Sequence, residues 1–175
     1  MQFKISKILQ LGALGLLAVT TTSSIALPSD ASQPVRLLAD KATYRASTGV
    51  TTYSGNVIIT QGTLKMRSSD IVVNLSKKGG ISSAIARGHP ATIQQIVTKE
   101  KGMAKGQANK IEYNSVTGII TLTGNAKLSQ NGASFSGNVL RYSLKAGDVE
   151  ATGGSGRRVE LVFPPNGNVD LRSVR

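Results

Sequence analysis

The side chains best suited to catalysis or metal binding are few and scattered along this chain. His89 is the single histidine, it lies in a Gly-His-Pro segment, and there is no cysteine. Metal sites in proteins need several such ligands close together, so this pattern disfavours one. Asp148 and Glu150 lie on one face of a predicted strand and resemble a glycosidase carboxylate pair, but nothing else points to that chemistry. The sequence predicts no enzyme, no metal and no cofactor.

Basic residues offer a different kind of chemistry, the binding of anions. The chain has 21 Lys and Arg against 9 Asp and Glu, a formal net charge of +12. Such a surface favours nucleic acid, acidic polysaccharide or phosphorylated lipid head groups. The pairs Lys77-Lys78 and Arg157-Arg158 are typical of a solvated surface, and the second is the better candidate for contact with phosphate.

Residues 1–26 have the pattern of a cleaved secretory signal peptide. Lys4 and Lys7 precede the apolar run ILQLGALGLLAV, and small residues ending at Ala26 favour cleavage before Leu27. The run is too short to cross a membrane. Removal of the two lysines lowers the net charge from +12 to +10. We expect an exported, soluble protein, and export argues against nucleic acid as a partner.

Beyond the signal peptide, the hydropathy pattern alternates with a period of two. DIVVNLS places Ile71 and Val73 on one face, GIITLTG does the same for Ile120 and Leu122, and Gly, Asn or Ser residues separate the segments. This pattern is typical of short β-strands rather than helices. The sequence predicts an all-β domain at 27–163, followed by a C-terminal tail at 164–175.

The strands come from a repeated unit. Residues 39–61 align without a gap on residues 108–130, and nine of the 23 positions are identical. Shorter offsets reveal four copies of a strand–turn–strand motif, which begin near residues 39, 68, 108 and 137. Such units bury their apolar faces only when they stack on neighbours. We therefore expect stacked layers around one long apolar interior.

The composition of that interior leaves two interpretations open. The chain has four Tyr, three Phe and no Trp, and one of the Phe residues lies in the signal peptide. The inward positions are mainly Val, Ile, Leu, Ala and Thr. They form either an ordinary core with few aromatic residues or an interior that does not close and accepts an apolar guest.

Several segments resemble the LptA (OstA) family of periplasmic lipopolysaccharide-transport proteins. They are QPVRLLADKATY (33–44), YSGNVIITQGTLKMRSSDIVV (53–73), GHPA (88–91) and TLTGNAKLSQ (121–130). The family usually has Lys in place of His in the third of these. The resemblance covers almost the whole mature chain except the C-terminal tail.

This resemblance implies a slightly twisted, V-shaped antiparallel β-jellyroll that works in the periplasm. It implies a head-to-tail homo-oligomer that carries lipopolysaccharide from an inner-membrane jellyroll partner to an outer-membrane translocon. The acyl chains of lipid A would lie inside the jellyroll. Apolar burial would then supply the affinity, because each methylene contributes about 0.8 kcal/mol and an exposed charge pair only about 0–1 kcal/mol.

Two sets of residues follow from this resemblance together with the alternation. The inward residues expected to contact lipid are Val35, Leu37, Val57, Ile59, Met66, Ile71, Val73, Ile111, Tyr113, Leu122, Leu128, Phe135, Leu140 and Tyr142. The residues expected at subunit edges are Val35, Leu37, Val159, Leu161 and Phe163. The alternative for each inward residue is that it only packs in the core. The alternative for each edge strand is that it only completes the sheet.

Two other functions stay open at this point. A periplasmic scaffold or a polysaccharide-binding adhesin module would use the same stacked strands. Sugar binding by stacking needs exposed aromatic side chains, and the sequence offers few. A membrane-anchored relative of the same bridge would keep an N-terminal transmembrane helix.

Overall fold

A computed structural model describes residues 30–77, 80–98, 102–144 and 146–165 of the chain. These residues form ten strands of one antiparallel sheet and a short 3-10 turn at Asp30–Ser32. The strands are β1 (Arg36–Leu38), β2 (Lys41–Arg45), β3 (Val50–Gln61), β4 (Leu64–Leu75), β5 (Ile81–Thr98), β6 (Gly102–Asn114), β7 (Ile119–Gln130), β8 (Ala133–Ser143), β9 (Val149–Thr152) and β10 (Glu160–Val162). The predicted all-β fold is confirmed.

The ends of the chain are described only in part. The predicted signal peptide (1–26) lies outside the described residues, and so do residues 166–175 of the predicted C-terminal tail. Within the described ranges, the structure contains no helix that is long and apolar enough to span a membrane.

The sheet is bent across all of its long strands. Its order is β1-β3-β4-β5-β6-β7-β8-β10, while β2 also pairs with β3 and β9 also pairs with β8. Each pairing between neighbouring long strands, from β3·β4 to β7·β8, shifts register near mid-strand. These irregularities form a line across the sheet and divide it into two halves, because such bulges bend a strand locally.

We name the two halves by the strand segments that they contain. Half A consists of β1, β10 and residues 57–61, 64–68, 91–98, 102–108, 126–130 and 133–137. Half B consists of β2, β9 and residues 50–54, 70–75, 81–87, 110–114, 119–123 and 139–143. Every long strand therefore contributes to both halves.

Two of the bends are made by the same dipeptide. Gly55-Asn56 in β3 and Gly124-Asn125 in β7 all have positive φ angles, of 78°, 45°, 77° and 52° in chain order. A side chain at Gly55 is excluded, because its Cβ would lie 2.2 Å from the Asp40 carboxylate, to which Asn56 donates a hydrogen bond. Glycine and asparagine are the residues that tolerate this backbone conformation best.

The repeat seen in the sequence is a repeat of strands. β3 (Val50–Gln61) and β7 (Ile119–Gln130) are related by an offset of 69 residues at both ends. The turns before them share a hydrogen bond, from the Gly49 amide to the Arg45 carbonyl and from the Gly118 amide to the Asn114 carbonyl. In the first repeat, β1 and β2 together occupy the place that β6 has in the second. In the second repeat, β9 and β10 together occupy the place that β5 has in the first. The sheet therefore consists of two copies of a four-strand block. The first runs from β1 and β2 to β5, and the second from β6 to β9 and β10.

The interior lies between the two halves. One apolar cluster joins Val57, Ala91 and Ala108 of half A to Ile71 and others of half B. The inward faces of the halves therefore pack on each other, most closely beside the bend. This arrangement is the predicted V-shaped β-jellyroll, with its apex at the bend and its arms in halves A and B.

Candidate functional site

Half B presents two rows of inward side chains, and each of its eight strands contributes one residue to each row. The deep row, next to the bend, contains Ala42, Tyr53, Ile71, Ala86, Ile111, Leu122, Leu140 and Ala151. The shallow row contains Tyr44, Thr51, Val73, Ala84, Tyr113, Ile120, Tyr142 and Val149. Successive side chains of a strand point to opposite faces, so each row is a ridge on one face of the sheet.

Half A is complementary in size near the bend. Ala91, Ala108 and Ala126 are at most 2% exposed, and Ala108 and Ala126 lie on the same strands as the large Ile111 and Leu122 of half B. Farther out, one row crosses all eight strands of half A. It contains Leu37, Ile59, Met66, Ile93, Gly106, Leu128, Phe135 and Leu161. Small residues opposite large ones let the two arms meet closely at the apex.

Exposure rises with distance from the bend. Ile71, Ile111 and Leu140 in the deep row are 0–1% exposed, whereas Leu144 beyond the shallow row is 46% exposed. The interior is therefore a cleft that packs at its base and opens between the arms.

A cavity of about 220 Å³ occupies the cleft. It is lined by Ile93, Gln94, Gln95, Val97, Ala104, Gly106, Ile120, Leu122, Leu128, Tyr142 and Leu144. Both arms contribute, and most of the lining side chains are apolar. We call this space the groove.

Gly106 keeps the centre of the groove open. It sits between Ile93 and Leu128 in the row of half A, where every other member has a large apolar side chain. A Cβ at this position would lie 3.0 Å from a methyl of Ile93 and 3.1 Å from one of Leu122. The equivalent residue in the first repeat is Leu37. The second block therefore has no side chain at this position, where the methyls of Ile93 and Leu122 leave little room for a Cβ.

Tyr142 provides a polar atom at the wall of the groove. Burial raises the pKa of its phenol above the usual range, because the charged phenolate is poorly solvated in an apolar setting. The Tyr142 hydroxyl therefore stays neutral throughout the physiological pH range. The groove wall carries no charge at this position.

The residues predicted to contact lipid fall into three groups in the structure. Those that are buried in the packed base or beside it are Val57, Ile71, Val73, Ile111, Leu122, Leu128 and Leu140. Those that line the cleft and stay half-buried are Leu37, Ile59, Met66, Tyr113, Phe135 and Tyr142. Val35 precedes β1 and is 52% exposed. The structure thus brings all but one of them to the interior, and contact with lipid stays a prediction.

Sequence reasoning missed several residues that line the groove. Ile93 and Val97 lie four residues apart on one face of TIQQIVT, with the polar Gln95 between them. Ile120, which the alternation places on one face with Leu122 but which is not among the predicted lipid contacts, pairs with Tyr142 and shares its face. The period of two identifies Ile120, but Gln95 interrupts it between Ile93 and Val97, and Gly106 has no side chain to give such a signal. Its role is visible only once the cross-strand register is known.

The residues predicted at subunit edges lie at opposite ends of the sheet. Leu37 lies in β1, at the edge beside β3, and Leu161 lies in β10, at the edge beside β8. Val159 and Phe163 flank β10 and are exposed, and the ring of Phe163 packs edge-on against Phe135 at 6.4 Å. An edge strand with exposed apolar side chains is a template for strand addition.

The residues considered for catalysis are not brought together. His89 is exposed in the bend of β5, and Glu150 in β9 is joined to Arg141 at 3.9 Å. Among the described residues, no group of three or more His, Cys, Asp or Glu side chains is placed to hold a metal ion. The chemistry of the groove is that of apolar burial.

The pairing of the strands and the cavity between the arms define the class of open antiparallel jellyrolls with an apolar groove. A family model described as LptA/(LptD N-terminal domain) LPS transport protein matches residues 36–148. The chain belongs to this family.

Curated relatives match over most of their length. Lipopolysaccharide export system protein LptA of Haemophilus influenzae is 31% identical over 155 residues, which cover 87% of this chain and 90% of the relative. LptA of Escherichia coli K12 is also 31% identical, and the match covers 95% of this chain and 90% of the relative. LptH of Pseudomonas aeruginosa is 31% identical over 84% of both chains.

A solved structure has the same fold. The crystal structure of LptH, described as the LptA-homologous periplasmic component of the lipopolysaccharide transport device of Pseudomonas aeruginosa, superposes with a TM-score of 0.71. The match covers 79% of this chain and 100% of that chain at 29% identity. The jellyroll predicted from the sequence is therefore a known fold of this family.

Proposed function

We propose that this protein carries lipopolysaccharide through the periplasm, with the acyl chains of lipid A held in the groove. It works as one segment of a bridge from an inner-membrane jellyroll partner to an outer-membrane translocon, after removal of residues 1–26. The observation that carries the proposal is the open, apolar groove of about 220 Å³ in a member of a lipopolysaccharide-transport family.

The groove suits a cargo that must move on. Burial of each acyl methylene contributes about 0.8 kcal/mol, so a partly buried chain is held by several kcal/mol without any specific polar contact. The same rows of Val, Ile, Leu and Tyr run across the whole sheet, so successive layers offer similar burial. A ligand held in this way meets no deep trap along the row and slides from layer to layer.

Photo-crosslinking at adjacent residues tests the location of the lipid. Ile120 lines the groove, and its neighbour Thr121 lies on the outer face of half B, opposite Arg141. We expect a photoreactive residue at Ile120 to form adducts with lipopolysaccharide, and one at Thr121 to form none. Absence of adducts at both Ile120 and Tyr142 in a folded protein would favour a closed scaffold instead.

A head-to-tail bridge follows from the way the two repeats already join inside the chain. β5 ends the first block and β6 begins the second, and they pair along both halves. β9 and β10 match β5, while β1 and β2 match β6. A second copy of the chain can therefore add its β1 and β2 to the free edges of β9 and β10 as β6 adds to β5.

This assembly fixes a register between subunits. The inward rows continue from one copy to the next only if Leu161 lies opposite Leu37, Ala151 opposite Ala42, and Val149 opposite Tyr44. The groove then becomes a continuous channel wall across the joint. Because all pairs are apolar, the joint itself buries surface that β1 and β10 leave exposed in the monomer.

Engineered disulfides test the register, because the chain has no cysteine of its own. Cross-strand neighbours lie about 4.5–5.5 Å apart between Cα atoms, within the range of a disulfide. We expect Leu161→Cys mixed with Leu37→Cys to give a disulfide-linked dimer upon oxidation. Leu161→Cys mixed with Leu38→Cys is the control, since Leu38 points to the other face. Equal yields from both mixtures would contradict the register.

A further inference from the structure

The outer surface of half A carries two rows of polar side chains that cross its central strands. One row contains Lys65, Gln94, Lys105 and Ser129, and the other contains Arg67, Thr92, Gln107 and Lys127. We call these eight residues the basic face. Strands are spaced about 4.8 Å apart, so the four cations lie roughly 7–15 Å from one another, measured along the sheet.

No carboxylate neutralises these cations among the described residues. The salt bridges that the described part of the chain contains lie on half B, where Arg87 pairs with Asp70 and Lys110 with Glu112 at 2.8 Å. Glu160 is the one described acid in the outward rows of half A, and it lies at the far edge, where it accepts a hydrogen bond from Ser136. Asp30, at the Thr63 turn, accepts its hydrogen bonds from Thr63 and Gln95. The basic face therefore keeps its full charge for an external anion.

The basic face is concave. All eight residues line a depression of about 450 Å³ on the outside of the sheet. A depression can accommodate a protruding part of a ligand, such as a sugar or a phosphate. The flat surface of a bilayer fits a depression poorly. Its outward side chains are amides, hydroxyls and cations, which hydrogen-bond phosphates and sugar hydroxyls, and none of them is aromatic or aliphatic.

The depression and the groove lie on opposite sides of the same two strands. Ile93, Gln94 and Gly106 contribute to both, with the Ile93 side chain turned to the groove. Acyl chains in the groove would leave the sugars at the open margin of half A, where β5 ends and β6 begins. From there the sugars need only pass around the edge of one sheet to reach the basic face.

We propose that the basic face, centred on Lys65, Arg67, Lys105 and Lys127, binds the phosphorylated saccharide of lipopolysaccharide. This inference rests on the transport function proposed above and adds a second contact to it. The groove holds the acyl chains and the basic face holds the phosphates. Each contact can therefore be tested alone with a lipopolysaccharide derivative that lacks either the acyl chains or the phosphates.

The experiment uses deacylated lipopolysaccharide, which keeps its phosphates and has no chain to enter the groove. We expect Lys65→Gln/Lys105→Gln in the full mature chain to weaken its binding about tenfold, as measured by calorimetry, and added salt to weaken binding to the native protein. The matched control is Lys41→Gln/Lys110→Gln, which removes the same charge from the outer face of half B. We expect less than a twofold change in the control.

Three results would overturn the proposal. Equal weakening by both double variants would mean attraction by net charge alone. Unchanged binding of the dephosphorylated, deacylated saccharide would remove phosphate as the recognised group. Stronger lysine-dependent binding to phosphatidylglycerol vesicles would identify a membrane surface as the partner. Crosslinking of intact lipopolysaccharide at Ile120 is independent of all three, so it shows whether the transport function itself has failed.

Discussion

Halves A and B are built from the same six long strands, yet they differ on both faces. Inside, half B supplies large buried residues such as Ile111 and Leu140. Half A supplies small residues such as Ala108 and Gly106. Outside, the three ion pairs found among the described residues lie on half B, and the cations at the centre of half A have no such partner there. We infer that half B supplies most of the packed base, while the proposed saccharide contact lies on half A.

The largest effect expected from this comparison is on stability. Ile111→Ala removes a side chain that is 1% exposed at the packed base, so we expect a loss of about 2–5 kcal/mol in the free energy of unfolding. Ile93→Ala makes the same change in the half-buried wall of half A, where we expect a loss below about 2 kcal/mol. Urea denaturation of both variants measures the difference. Equal losses would show that the arms share the core evenly.

A smaller effect on stability, with a larger one on binding, is expected at Gly106. Gly106→Leu introduces the side chain that the first repeat has at this position, between Ile93 and Leu122, whose methyls lie 3.0 and 3.1 Å from the new Cβ and must shift to admit it. Displacing two methylenes of lipid would lower affinity roughly tenfold, at about 0.8 kcal/mol each. Lipopolysaccharide binding by the folded variant measures this.

The control for Gly106→Leu is Glu112→Leu, on the same strand but on the outer face of half B. We expect it to bind lipopolysaccharide as the native protein does, with the change confined to a surface ion pair of small energetic weight. Native affinity in Gly106→Leu would mean that the acyl chains lie elsewhere in the cleft.

Much of this architecture follows from the sequence because its signals are local. The alternation that includes Ile71 and Val73 predicts the strands, and the glycines in the turns and bends recur with the repeat. The family resemblance implied the V-shaped jellyroll, and the fold agrees. The cross-strand neighbours of each strand are set by register, which a single strand does not encode.

The features that distinguish the two halves are those that sequence reasoning left out. Lys65 and Lys105 are 40 positions apart in the chain and become part of one surface only through Gln94, which pairs with both. Gly106 carries no hydropathy signal at all. Both features depend on which strands are neighbours, so they became visible with the pairing of β4, β5 and β6.

The smallest predicted effect concerns the free end of half A, which is fastened by a polar contact. The Asp30 carboxylate accepts hydrogen bonds from the Thr63 amide at 2.8 Å, the Thr63 hydroxyl at 2.6 Å and the Gln95 side chain at 2.7 Å. The Thr63 hydrogen bonds in particular lower the pKa of Asp30 below its ordinary 3.8. The carboxylate is exposed, so the effect on global stability is small.

The sign of the pH dependence follows from that lowered pKa. The contact stabilises the fold above the unfolded-state pKa and is lost as the pH falls through the lower, folded-state pKa. Acid should therefore loosen the turn at Thr63 in half A before the matching turn of half B, where the Leu75 amide donates to the Gly49 carbonyl at 3.1 Å. Temperature coefficients of the two amide proton shifts by NMR, followed from about pH 5 to about pH 2.5, measure this. Asp30→Ala should loosen Thr63 at every pH, and simultaneous loosening of both turns would mean that acid opens the two halves together.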